Sequence, residues 1–369
     1  MKRIAQLTFV MVFVLIAVAV SANGGGTLKI AVIGDTGIGD RSFNPGFIKA
    51  MEKIRELKPD VLLHAGDFIY RPKGDQKTCD AYQKEVEASL VKGFPHKLFA
   101  MGDNDVENSV NLRKGFSSEG CWDYLLSLDD PFDPIPDGDP RPGALEGFKK
   151  IDNVLIAILD TNNWKNPGDW LVPRLLEIGR DDWTIFVLHE PILSVAWYNP
   201  GFENSDNIRA VNRLKPDLVF SGHHHGYQRF FPTGLPESDG GLDVSKRKDV
   251  SATFDRGEGS IHIVTGGGGA LLRPFADDQV GGRAKRHKPP KYIRKAVAIK
   301  AVMNHFVMLE ITSDKIVGKT YRVCPQNAKG DPRWRPDDAD IWRNTKLACE
   351  GVTEEFSIFD EFEIEKTAR

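Results

Sequence analysis

Short apolar runs that end in an acidic or imidazole side chain recur along this chain, and they restrict its fold more than any other feature. Leu28-Lys29-Ile30-Ala31-Val32-Ile33 runs into Gly34-Asp35, Val61-Leu62-Leu63-His64 into Gly66-Asp67, and His96–Met101 into Gly102-Asp103. Thr184–Leu188 leads directly to His189, and Leu218–Ser221 to Gly222-His223-His224-His225. Each run has the length and composition of a buried strand. Acidic and imidazole side chains at the carboxyl ends of several strands converge on one edge of an α/β sheet, which is where ligands bind.

The segments between these runs support a layered fold. Asn44-Pro45 opens a helix with Phe47, Ile48, Met51 and Ile54 at helical spacing. Cys79–Val91 reads as a second helix, and Val154–Leu159 and Ile261–Thr265 as further strands. Phe306–Ile311 and Lys315–Tyr321 flank Ser313-Asp314 as a hairpin. Strand and helix alternate first and strands dominate later, which argues for α/β layers with sheets packed inside helices. Three stretches read as long loops: Pro131–Pro142, Pro232–Glu258 and the locally basic Gly281–Lys295. The basic stretch reads foremost as a solvated loop, with a rim that attracts anionic substrate as the alternative. No repeat or linker divides the chain, so residues 23–369 are expected to form one domain.

Lys2 and Arg3 precede an apolar run from Leu7 to Val20 that closes on Val20-Ser21-Ala22. This pattern reads as a secretory signal with cleavage after Ala22. The run is shorter than the ~20 residues a membrane span needs, so no stable span is expected after cleavage. In an oxidising compartment Cys79, Cys121, Cys324 and Cys349 read as two disulfides. Pairing nearest neighbours gives Cys79–Cys121 and Cys324–Cys349, although four cysteines allow three connectivities. The net charge is −3 and no basic run is interleaved with aromatics, so nucleic-acid binding is not expected.

Three Asp and three His gathered on one sheet edge need compensating charge. Two metal ions would supply it, and mixed nitrogen and oxygen ligands suit Fe, Zn or Mn. Gly222-His223-His224-His225 carries this reading furthest, because His-x-His in an extended segment points two imidazoles the same way. Gly34-Asp35-Thr36-Gly37 alone could be an Asx-turn or helix cap, and His189 alone a satisfied structural histidine.

Taken in order, Gly34-Asp35-Thr36-Gly37, Gly66-Asp67-x-x-Tyr70, Gly102-Asp103-Asn104-Asp105, Val187-Leu188-His189 and Gly222-His223-x-His225 resemble the calcineurin-like metallophosphoesterase superfamily. Tyr70 is similar to its purple acid phosphatase branch, and the stretch from Gly66 to Cys79 to a related bacterial subgroup. The resemblance covers about residues 28–230 and the glycine-rich Ile263–Gly269. It implies a four-layer α/β/β/α sandwich, two central mixed sheets flanked by helices. It also implies hydrolysis of a small phosphate ester, a monoester in preference to a diester. Asp35 and His225 would then bind one ion, with Tyr70 either a third ligand or a cap on a hydrophobic patch. Asp67 would bridge, and Asp103, His189 and His223 would bind the second.

Two positions depart from the family's usual Gly-Asn-His-Asp. Asp103 keeps an oxygen ligand and adds negative charge. Asn104 stands where an imidazole commonly assists the phosphoryl or leaving group, and an amide cannot deliver a proton. Such an enzyme would depend on good leaving groups, or take a proton from His224, Glu190 or Asp105. Asn104 and His224 are therefore the candidate catalytic residues. The loops Trp164–Trp170, Trp197–Asn204 and Pro232–Glu258 would choose the substrate, with Trp197 and Tyr198 expected to pack as a flap in preference to stacking an aryl or nucleobase group.

Rival classes fit poorly. The glycines from Gly34 to Gly39 read G-x-x-G-x-G without a P-loop lysine, and no G-x-S-x-G of a serine hydrolase occurs. The alternative that stands is a protein of the same fold that keeps its metals and has lost turnover.

Overall fold

The computed structural model describes residues 26–37, 45–68, 83–84, 86–105, 127–128, 130, 132–133, 146–161, 182–196, 211, 214–234, 243–244, 252–275, 289–325 and 348–366. Among them two seven-stranded mixed sheets form the frame.

The first sheet is built around β1 (Leu28–Ile33), β2 (Val61–His64) and β3 (His96–Phe99), which run parallel. β14 (Asn304–Ile311) pairs antiparallel with β1, and β15 (Lys315–Val323) and β16 (Phe356–Glu365) continue as a meander. β11 (Thr253–Asp255) closes that edge. The Thr312 N–H donates to the Lys315 carbonyl at 2.9 Å, which makes Ser313-Asp314 the two-residue hairpin turn expected.

In the second sheet β5 (Val154–Leu159), β6 (Trp183–Leu188), β7 (Leu218–Ser221) and β12 (Ile261–Thr265) run parallel. β4 (Gly147–Ile151) adds antiparallel at one edge, and β8 (Tyr227–Phe230) then β13 (Val297–Ala301) at the other. A separate two-stranded ribbon joins β9 (Thr233–Gly234) to β10 (Asp243–Val244). Residues 232–258, expected as one long loop, thus contain three short strands. Part of the expected basic loop is also regular: α2 covers Lys291–Ala296.

Side-chain alternation sorts the core into layers. Ile30, Val32, Val61 and Leu63 share one buried cluster with Val154, Ile156, Ile185 and Phe220, so these faces oppose each other across the sheets. The alternate residues Ala31, Ile33 and Leu62 pack on Phe47, Met51 and Ile54 of helix α1 (Pro45–Leu57). Leu155, Ala157, Phe186 and Val219 face a third cluster with Ile293 and Ala296 of α2. Helix, sheet, sheet and helix follow in that order, the four-layer sandwich expected. Of the expected Cys79–Val91 helix, Glu87–Val91 is present as a π-helical turn.

A buried ion pair crosses between the sheets. Arg229 of β8 donates to both oxygens of Asp360 on β16 at 2.6 and 2.9 Å, and the Tyr227 hydroxyl donates to the same carboxylate at 2.6 Å. The guanidinium also lies over the rings of Phe254 and Phe362. Burial pushes the Tyr227 phenol well up, so it stays a neutral donor. Cys324 and Cys349 form a disulfide with Cα atoms 5.5 Å apart, which ties the end of β15 to the approach to β16. Cys79, Cys121 and residues 1–22 lie outside the described residues. Among the described residues no helix is long and apolar enough to cross a membrane.

Candidate metal centre

The carboxyl ends of parallel β1–β3 and of parallel β6 and β7 carry Asp35, Asp67, Asp103, His189, His223 and His225. Three of these residues sit in the left-handed backbone region: Asp35 (φ 53°), Asp67 (φ 55°) and His223 (φ 65°). Non-glycine residues adopt it at a cost, and such strain gathers at functional sites. Two glycines let the strand ends close up. A Cβ on Gly66 (φ 86°) would stand 2.5 Å from His189 Nδ1, and one on Gly222 would meet Asp35 Oδ2 at 2.6 Å and the Ala65 carbonyl.

Asp67, Asp103, His189 and His223 each present a ligand atom, and all four atoms lie within 4.8 Å of one another. His189 Nε2 is 3.0 Å from Asp103 Oδ1 and 3.4 Å from Asp67 Oδ1. His223 Nδ1 is 3.2 Å from the same Asp103 oxygen and 3.3 Å from His189 Nε2. A second grouping stands beside them: His225 Nε2 lies 3.4 Å from Asp35 Oδ1, while Asp35 Oδ2 accepts the His223 backbone N–H at 2.8 Å.

The imidazoles are prepared as ligands. His189 Nδ1 donates to the Ala65 carbonyl at 2.9 Å and His225 Nδ1 to the Leu271 carbonyl at 2.6 Å. Each ring thereby turns its Nε2 lone pair toward the carboxylates, the arrangement metal-binding histidines use. The electrostatics agree. Burial opposes charge on His189, yet the carboxylates of Asp67 and Asp103 raise its basicity well above an ordinary imidazole. Burial would raise Asp103, but hydrogen bonds with His189 and His223 hold its carboxyl well below the usual range. Asp67 is likewise lowered, its burial outweighed first by the charge of His189. This pocket asks for positive charge at its centre, and a divalent or trivalent cation meets that demand with the donors present.

The remaining sequence candidates fall in different places. Asn104 turns onto Asp67, donating from its backbone N–H to Oδ1 at 2.9 Å and from Nδ2 to Oδ2 at 2.7 Å. Asp105 is buried and accepts the backbone N–H groups of both Asp67 and Gly102 at 2.8 Å, so it fastens the two loops together. His224 is buried behind its neighbours, and burial, with the adjacent histidine charges, pushes its imidazole well down. Among the described residues its Nε2 has no hydrogen-bond partner. The Glu190 N–H donates to Thr161 Oγ1 at 3.3 Å. Tyr70, Trp197 and Tyr198 lie outside the described residues.

Two buried His–Thr pairs behind the site were not singled out from sequence. His64 meets Thr36 at 3.1 Å, and His305 meets Thr265 at 3.2 Å. For His64 the available signal was a polar residue closing the buried run Val61-Leu62-Leu63, two residues before Gly66-Asp67.

A family model described as Calcineurin-like phosphoesterase matches residues 28–227. The chain is 26% identical over 277 residues to "Probable inactive purple acid phosphatase 24" of Arabidopsis thaliana, covering 67% of this chain and 42% of that protein. It is 24% identical over 226 residues to the UDP-2,3-diacylglucosamine pyrophosphatase LpxG of Chlamydia trachomatis, covering 56% and 65%. The purple acid phosphatase PPD1 from yellow lupin (Lupinus luteus) seeds superposes with a TM-score of 0.60 at 16% identity, over 92% of this chain and 54% of that one. This chain spans less than half the length of the first curated relatives it matches.

Proposed function

This chain belongs to the calcineurin-like phosphoesterase family, and from that premise we propose that it is a dinuclear metal-dependent phosphoesterase. The observation that carries the reading is the meeting of the Asp67, Asp103, His189 and His223 donors within 4.8 Å, with Asp35 and His225 alongside. In the proposed arrangement Asp35 and His225 hold one ion, with Tyr70 as a further ligand. Asp67 bridges, and Asp103, His189 and His223 hold the other. The ions are Fe, Zn or Mn. Bound there, such a pair acidifies a water molecule and offsets charge on a phosphoryl group.

The chain's own residues set what that chemistry reaches. His189 and His225 are oriented by their backbone acceptors, and Asp105 keeps the loops after β2 and β3 in register. Asn104 supplies a hydrogen bond but no proton, and His224, buried and uncharged, is poorly placed to supply one. We therefore assign a small phosphate monoester with a good leaving group as the substrate, in preference to a diester. The basic run before α2 and the exposed Arg273 after β12 suit an anionic substrate. The Lys2–Ala22 pattern and the Cys324–Cys349 disulfide support export, and the shared core supports one domain over residues 23–369.

Metal analysis of the purified protein, followed by hydrolysis of an aryl phosphate and an aryl phosphodiester with added Mn, Fe or Zn, tests this reading. The expected result is two equivalents of metal and monoester turnover that His223→Ala abolishes without unfolding the chain. One specific observation favours a second reading, a metal-binding protein without turnover: the Asn104 amide is already committed to Asp67. Two bound metals with no turnover on any ester would select it.

A further inference from the structure

The side chain of His64 closes β2 directly beneath the site, fully buried. It stacks on the Phe99 ring at 5.5 Å and 13° and meets Phe68 edge-on. Its hydrogen bonds fix its tautomer. The Gly66 N–H can only donate, and it points at His64 Nδ1 at 3.1 Å. Nδ1 is therefore the acceptor, and the ring proton sits on Nε2. That proton is donated to Thr36 Oγ1 at 3.1 Å, and the Thr36 hydroxyl passes its own to the Phe68 carbonyl at 3.5 Å. Every polar atom of the pair is used, with one direction of donation throughout.

This relay joins two loops, with Thr36 of one held between His64 and the Phe68 carbonyl of the other. Thr36 follows Asp35, and Gly66 precedes Asp67. Both aspartates occupy the left-handed region, which packing must maintain. The loops also touch through the backbone, since the Asp35 N–H donates to the Gly66 carbonyl at 2.9 Å. The Gly37 N–H adds a long second contact to the Asp67 carbonyl at 3.5 Å, and the His64 bridge is the side-chain tie that braces the gap between the two carboxylates. His305 and Thr265 do not duplicate it: there Nδ1 donates to the Met303 carbonyl, so Nε2 accepts from the Thr265 hydroxyl, behind β12.

We infer that His64, acting through Thr36 and Gly66, is a positioning residue that sets the spacing of Asp35 and Asp67 for metal binding. The inference rests on the metal-centre reading above, and the experiment separates the two. Metal-stripped protein is titrated calorimetrically with Zn(II) or Mn(II), giving stoichiometry and both affinities without reference to turnover. Thr36→Val removes the hydroxyl at nearly constant volume. His64→Asn keeps an acceptor for the Gly66 N–H but is too short to reach Thr36. Both variants should bind metal about 10- to 100-fold more weakly, while the metal-free proteins remain folded. Thr36→Ser restores the hydroxyl and should return affinity to within about threefold of the parent.

Parent-like affinities in Thr36→Val and His64→Asn would overturn the assignment, leaving His64 as a core residue. Weakened binding that Thr36→Ser fails to rescue would overturn it too, since volume would then be the cause. Should His64→Asn not fold, the Thr36 pair decides alone. A parent protein that binds no metal would instead remove the reading of the centre itself.

Discussion

Asn104 holds both oxygens of Asp67, one through its backbone N–H at 2.9 Å and the other through its side-chain Nδ2 at 2.7 Å. Residue 104 is thus engaged with the proposed bridging carboxylate and offers no titratable proton to a departing alkoxide. Catalysis should therefore depend steeply on the leaving group. Asn104→His should raise kcat/KM for alkyl phosphates by roughly 10²-fold, the lower end of general-acid contributions, and change nitrophenyl phosphate hydrolysis much less. A plot of log kcat/KM against leaving-group pKa reads the outcome. Equal slopes for parent and variant would remove the leaving-group argument.

Backbone strain at His223 predicts an asymmetry between substitutions that remove the same ligand. At φ 65°, asparagine is tolerated whereas a β-branched residue is not. His223→Asn and His223→Val should both lose metal. In metal-free protein, however, the valine variant should be less stable than the asparagine variant by about 1–3 kcal/mol. Urea unfolding in chelator measures the difference, and equal midpoints would mean that the strain has no energetic weight.

Between the sheets, Asp360 is the sole carboxylate among the described residues that pairs with Arg229. Asp360→Ala leaves a guanidinium buried at 1% exposure and should cost about 3–5 kcal/mol. Replacing both partners with apolar residues, Arg229→Met with Asp360→Leu, should recover most of that loss, because the desolvated charges disappear together. Urea midpoints for the parent, the single variant and the double variant decide it. A double variant no more stable than the single one would show that the hydrogen bonds, including the Tyr227 hydroxyl, matter more than the charge.

This pair also shows where sequence reading reached its limit. The strands that end at the site were legible because each is a run of apolar residues closed by Asp or His. β8 reads Tyr-Gln-Arg-Phe and was passed over, since Gln228 and Arg229 look like surface residues. Both are buried: Gln228 is held by Ser194 and Val195, and Arg229 pairs with Asp360 131 positions away. β16 carries four acidic residues among its ten and has no apolar run to mark it. The six Asp and His ligand candidates were visible for the opposite reason: each lies within a few residues of a strand end. His64 was marked only as the polar end of its strand, which gives no sign of which loops its ring ties.

Buried histidines held neutral, three of them away from the ligand set, make the fold sensitive to mild acid. Burial holds His64 and His262 to about 3 and His305 to about 4, against 6.5 for a free imidazole. The unfolded chain therefore binds more protons than the fold below about pH 6.5. The contribution of these three rings to stability is complete above that pH, falls as pH drops, and levels only near pH 3–4. By pH 4 the loss is roughly 3 kcal/mol for each of His64 and His262, against a total stability of about 5–15 kcal/mol. Unfolding in chelator should thus begin between pH 6 and pH 4, before most carboxylates titrate. His262 isolates the effect, because it lies in register with Val219 on β7 and its Nε2 has no hydrogen-bond partner among the described residues. His262→Leu should be at least as stable as the parent at pH 7. Its stability should also decline less steeply between pH 6 and pH 4, by about 1.4 kcal/mol per pH unit. Urea unfolding at pH 7, 6, 5 and 4 supplies both slopes, and parallel lines for parent and variant would show that the buried ring does not take up a proton on unfolding.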